Sequence, residues 1–126
     1  MILVDTSVWI DHFRKNDPLL IERLIAEEVW IHPFVIAEIA LGNLANHKSK
    51  LRDLQDLARV TAANDAEMLQ FIEHHRLSGK GIGFVDTHLL ASLHLTPGIK
   101  LWTRDKRLAA VATSMGLAFN PDRLLN

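Results

Sequence analysis

Short, branched, apolar runs alternate along this chain with longer stretches in which apolar residues recur at helical spacing. Ile2-Leu3-Val4 is such a run and predicts a buried strand at the N-terminus. Asp17-Pro18 supplies an N-cap followed by proline at the first helical position. A helix over 19–28 then carries Leu20, Leu24 and Ile25 on one face. Val29-Trp30-Ile31 predicts a second strand, and Pro33 opens a helix running to about Leu44. Leu51, Leu54, Leu57 and Ala58 repeat at helical spacing, and Arg59-Val60-Thr61-Ala62 predicts a short third strand. Asn64 with Glu67 three residues later is a capping-box arrangement ahead of Met68, Leu69, Phe71 and Ile72.

Gly79, Gly81 and Gly83 break that helix into a loop. The stretch from Asp86 to Leu95 predicts a helix stopped by Pro97-Gly98. Leu101-Trp102-Thr103 is a further strand, and Lys106 to Met115 a helix closed by Gly116 at C′. Leu117-Ala118-Phe119 predicts a last short strand. Strands alternating with helices imply βαβ units and a parallel sheet covered on both faces, an α/β fold. No repeat, low-complexity tract or linker interrupts the pattern, so one domain over 1–126 is expected.

Against that pattern four acids stand out because their neighbours are apolar: Asp5, Glu38, Asp86 and Asp105. A carboxylate embedded in apolar sequence is costly to desolvate unless something neutralises it. Parallel sheets place ligands outside the carboxyl ends of their strands. Asp5 and Asp105 follow predicted strands, while Asp86 and Glu38 lie early in helices that begin on the same edge. Gathered there, the acids need protons or a hard cation such as Mg2+ to relieve their repulsion. Taken singly, Asp5, Asp86 and Asp105 also stand where N-caps belong, and Glu38 reads as an ordinary solvent-facing helix residue.

Composition narrows the chemistry. The chain has 126 residues, 48% hydrophobic and 23% charged, the make-up of a globular protein with a real core. It holds no cysteine, which excludes disulfides and thiolate metal sites and makes the cytoplasm the expected compartment. No apolar run approaches a membrane span, and no signal-peptide pattern opens the chain. Lys and Arg number 14 against 15 acids, so a polyanion must be held by local basic clusters, metal or a partner subunit. Seven histidines form no His-Glu-x-x-His motif, and adjacent His74 and His75 face different directions on a helix. The glycines around Lys80 lack the P-loop pattern, and no Gly-x-Ser-x-Gly elbow occurs.

The ordered set Val4-Asp5-Thr6-Ser7-Val8-Trp9-Ile10-Asp11, Ala37-Glu38-Ile39, Asp86-Thr87-His88-Leu89-Leu90-Ala91 and Leu101-Trp102-Thr103-Arg104-Asp105 resembles the PIN-domain family. The likeness is to its VapC-type toxins of bacterial toxin–antitoxin pairs. Each motif alone is common, but the order is specific and covers essentially the whole chain. The resemblance implies a three-layer α/β/α fold with a five-stranded parallel sheet and an Mg2+- or Mn2+-dependent endoribonuclease. It also implies a homodimer inhibited by a cognate VapB-like antitoxin. One departure is His88, at a position often aliphatic in such proteins, which either touches the site or points to solvent.

Phosphodiester hydrolysis requires an activated water, charge relief on the nonbridging oxygens and help for the leaving oxygen, and divalent cations supply all three. Asp5 and Asp86 are the expected direct metal ligands, with Asp105 binding a second ion or acting through water. Glu38 is expected to hold or deprotonate a water. Thr6, Ser7 and Thr103 are expected to hydrogen-bond those ligands, and Arg104, Lys106 and Arg107 to meet RNA phosphates. Trp9, Ile10 and Phe13 are expected to pack the core, and part of that region to form an antitoxin groove. The competing function is a catalytically silent PIN-like module whose acids serve caps or partner contacts. An aspartyl-phosphate phosphatase is disfavoured, because Asp5-Thr6-Ser7 lacks the second acid of an Asp-x-Asp pair.

Overall fold

A computed structural model describes residues 1–121; the last five residues of the expected 1–126 domain lie outside the described residues. β1 (Ile2–Val4), β2 (Val29–Ile31), β3 (Ala58–Arg59) and β4 (Lys100–Trp102) form a parallel sheet in the order β3-β2-β1-β4. Leu3 of β1 is in register with Trp30 on one side and Leu101 on the other. Successive strand residues point to opposite faces. Ile2, Leu3 and Val4 are nevertheless all buried, so both faces of the sheet are covered, as the continuous apolar triplet requires.

The covering helices are α1 (Thr6–Arg14), α2 (Pro18–Ile25), α3 (Pro33–Leu41), α4 (His47–Gln55), α5 (Asp65–His74), α6 (Phe84–Leu95) and α7 (Lys106–Ser114). Their start signals act as the sequence predicts. Asp17 Oδ1 accepts the Leu19 and Leu20 amides ahead of α2, and Asn64 and Glu67 exchange both capping-box bonds at α5. Gly116 (φ 70°) closes α7 in a Schellman motif: its amide bonds Thr113 and that of Leu117 bonds Ala112.

Four expectations shift. Ile25 is 79% exposed although Leu20 and Leu24 on the same helix pack inward, because α2 meets the core over too narrow a stripe to reach it. The helix from Pro33 stops at Leu41, where Gly42 caps it. Leu57 and Ala58 fall beyond the end of α4, and Ala58 begins β3. The fifth strand is reduced to a single parallel bridge between Leu101 and Ala118. The Leu101 amide bonds Leu117 and the Phe119 amide bonds Leu101, but Pro121 has no N–H with which to extend the ladder.

This topology decides where the site lies. From β1 the chain passes to β2 on one side, while β4 docks on the other side of β1. Strand order therefore reverses between β1 and β4, and the crevice beyond their carboxyl ends is the natural ligand position of such a sheet. Among the described residues no helix is long and apolar enough to cross a membrane.

Candidate active site

Asp5 leaves β1 at that crevice, its amide still bonded to the Trp102 carbonyl of β4. It occupies the N-cap position of α1 but does not cap; its side chain turns away to accept Ser7 Oγ–H (2.8 Å) and Thr103 Oγ1–H (2.7 Å). Both hydroxyls land on Oδ2, so Oδ1 accepts from neither. The residue is 5% exposed. A carboxylate this buried needs such donors, because each charge-assisted bond offsets part of its lost hydration.

Thr103 links two of the acids, since its Oγ1 also accepts the Asp105 amide (3.1 Å). Asp105 is the N-cap of α7, with Oδ1 on the Leu108 amide (3.0 Å), so capping occupies one carboxylate oxygen. Glu38 projects from the exposed side of α3, where Thr6 Oγ1–H bonds its Oε1 at 2.7 Å. Ser7 and Thr103 thus bond Asp5, and Thr6 bonds Glu38.

Asp86 sits at the third position of α6 rather than at its N-cap, which is Gly83. A long bond of 3.4 Å from the Gly83 amide is its main polar contact. Burial raises its carboxyl above the ordinary value; the Gly83 amide works against this, and the charges of Asp5, Asp105 and Glu38 push it further up. Four acids from β1, α3, α6 and the β4–α7 turn therefore act on one another at one edge.

Among the described residues no three His, Asp or Glu side chains already close around a point that would hold an ion. The donor set still suits a hard divalent cation, because every donor at the rim is an oxygen. Mg2+ keeps several waters and takes one or two carboxylates directly, so acids reached partly through water satisfy it without a closed triad. Asp5 Oδ1, Glu38 Oε2 and Asp105 Oδ2 each lie outside the bonds just described, and Asp86 holds only the long one from Gly83.

The basic residues divide. The guanidinium of Arg104, expected to meet phosphates, is bound to Asp11 (2.7 Å) and Asp17 (2.6 Å), a double pairing that counts against such a contact. Lys106 and Arg107 are exposed in the first turn of α7, with Arg107 lying against the backbone of Gly81.

His88 neither reaches the carboxylates nor points to solvent. Its ring is buried edge-on between Phe34 and Phe84, with centroids 4.6 Å from each, and 6.0 Å from His32. His32, which sequence reasoning passed over, is wholly buried and caps α3 through Nδ1, which accepts the Phe34 amide at 2.9 Å. The one sequence signal for it is a polar residue directly ahead of the helix-opening Pro33. Asp11 was missed as a partner of Arg104 because the two lie 93 positions apart. Trp9 is core, as expected, stacked on Phe13 at 5.8 Å.

Comparison with known proteins agrees with this geometry. The family model described as PIN domain matches residues 2–114. The Ribonuclease VapC32 proteins of Mycobacterium tuberculosis, from strains CDC 1551 / Oshkosh and H37Rv, are 45% identical over 118 residues, spanning 94% of this chain and 95% of theirs. In fold, the crystal structure of PAE2754 from Pyrobaculum aerophilum superposes with a TM-score of 0.66 at 20% identity, over 98% of this chain and 91% of that one. A parallel sheet with its acids at the β1/β4 switch, a family match over nearly the whole chain and relatives this similar lead to one assignment. The chain belongs to the PIN-domain family, among its VapC-type toxins.

Proposed function

We propose that this protein is a divalent-cation-dependent endoribonuclease, acting in the cytoplasm and held in check by a VapB-like antitoxin. The observation that carries the reading is Asp86, a half-buried carboxyl set in the field of Asp5, Asp105 and Glu38. Burial first, and the like charges after it, make its ionisation unfavourable, which is the arrangement a cation resolves. The name of the VapC32 relatives supplies RNA as the substrate class, and homodimerisation is the family expectation.

Asp5, Asp86 and Asp105 would hold the ion, Mg2+ or Mn2+. When bound, it supplies positive charge that eases loss of a proton from water and offsets charge building on the phosphate oxygens. Ser7 and Thr103 hold Asp5 through Oδ2, which leaves Oδ1 for the ion without reorganising. Glu38, steadied by Thr6, accepts the proton of the attacking water. The water oxygen bonds to phosphorus as the bond to the 3′ oxygen breaks. That oxygen takes a proton from solvent, leaving a 5′-phosphate and a 3′-hydroxyl. Lys106 and Arg107, exposed in the first turn of α7 next to Asp105, take the flanking phosphates.

The test is RNA cleavage by purified protein with and without Mg2+ or Mn2+, beside Asp5→Asn and Asp86→Asn. Cleavage that needs the cation and falls by orders of magnitude in both folded variants supports the reading. Calorimetry showing no divalent-ion binding, with an inactive parent that still captures a small basic partner, would favour the silent binding module instead.

A further inference from the structure

We infer that Arg104 is a positioning residue for the carboxylate site, an inference that rests on the proposed nuclease function. It clamps the turn between β4 and α7 onto the start of α1. One planar guanidinium spans two helices, Nη1 to Asp11 Oδ2 on α1 at 2.7 Å and Nη2 to Asp17 Oδ2 at the head of α2 at 2.6 Å. Its backbone amide donates to Ser7 Oγ at 3.0 Å. Ser7 and Asp11 are four apart on α1 and so lie one above the other on the same face, which Arg104 spans from main chain to side chain.

The neighbours of Arg104 are what this clamp places. Thr103 immediately before it bonds Asp5, and Asp105 immediately after it donates its amide to the same Thr103 hydroxyl. The bond from the Arg104 amide occupies Ser7 Oγ as an acceptor and directs the Ser7 proton to Asp5 Oδ2. Asp17 is a fixed anchor, because its Oδ1 caps α2 and its amide donates to His12 Nδ1 at 3.0 Å. The Trp102 ring lies under the guanidinium at 5.8 Å and limits its tilt. Two carboxylates outweigh the one cation, so the group presents no net positive charge to an RNA phosphate.

Partly exposed ion pairs of this kind add little to global stability. Their effect here is geometric, and a displacement of about 1 Å at a reacting centre costs on the order of 10²-fold in rate. Asp11→Asn and Arg104→Ala are therefore expected to lower kcat by tenfold to about 10²-fold with KM nearly unchanged. The double variant should be no worse than Arg104→Ala alone, because that variant already removes the Asp11 contact along with the one to Asp17. Arg104→Lys, which reaches one acid and lacks the planar fork, should retain an intermediate rate. If Arg104 meets RNA instead, Arg104→Ala raises KM and flattens its salt dependence while Asp11→Asn leaves kcat intact; that pattern overturns the proposal. Amide hydrogen exchange at Arg104 and Asp105 provides a readout free of activity, and it should accelerate in Asp11→Asn. Unchanged exchange overturns the clamp whatever the activity. Faster exchange in a protein whose parent cuts no RNA upholds the clamp and overturns the nuclease reading.

Discussion

Acidification should destabilise this protein through one histidine, His32. It is fully buried, its Nδ1 accepts the Phe34 amide, and its Nε2 finds no hydrogen-bond partner among the described residues. The neutral tautomer with the proton on Nε2 is the form that fits. A second proton on Nδ1 would break the cap of α3 and leave a buried cation beside His88. Burial, with His88 adding to it, pushes His32 from 6.5 down to about 4. The sign follows from linkage. Between those values the unfolded chain binds the proton and the native state does not, so stability falls as pH falls through this window and is intact above it. At 1.36 kcal/mol per unit the loss relative to neutral pH is about 2 kcal/mol by pH 5 and about 3 kcal/mol by pH 4. His32→Asn isolates this contribution, because asparagine keeps an N-cap acceptor while removing the titrating ring. Its smaller volume adds a penalty that does not vary with pH. Urea unfolding of both proteins, followed by tryptophan fluorescence from pH 7 to about pH 4, gives their stability difference at each pH. That difference should shrink by about 3 kcal/mol across the series, since the carboxylates titrate alike in both. Parallel curves would refute the buried neutral histidine.

Two further outcomes test the supports of the site and the fold. Thr103→Val keeps the side-chain shape but removes the hydroxyl that donates to Asp5 and accepts from Asp105. Divalent-ion affinity by Mn2+ titration should fall by about 10- to 100-fold with the circular dichroism unchanged, and an unaltered affinity would show that Thr103 does not orient the ligands. Asn64→Ala removes the cap bond to the Glu67 amide and touches none of the four carboxylates' hydrogen bonds. It should cost about 1 kcal/mol in urea unfolding, with RNA cleavage at the parent's rate; a neutral effect would mean the capping box adds nothing to α5.

Local signals carried most of the secondary structure. Asp17-Pro18, Asn64 with Glu67 and Gly116 marked helix ends because capping acts within a few residues and leaves its imprint there. Apolar Ile2-Leu3-Val4 marked a strand buried on both faces for the same reason. Weaker positions went astray where the decision was not local. Ile25 fits a helical face but finds no neighbour, and Ala118 fits a strand that Pro121 keeps from lengthening.

The sequence by itself determined the alternation of strands and helices, the embedded acids and the ordered motifs, all written in residues close together along the chain. Tertiary structure alone decided the partnerships: Thr103 with Asp5 across 98 positions, Thr6 with Glu38, Arg104 with Asp11 and Asp17, and His88 between two phenylalanine rings. The physical reason is one of range. A cap or a hydrophobic period is satisfied within a turn or two of its own segment. A side chain's charge and hydrogen bonds are satisfied by whatever the sheet order brings alongside, and that order is fixed only when β4 docks next to β1.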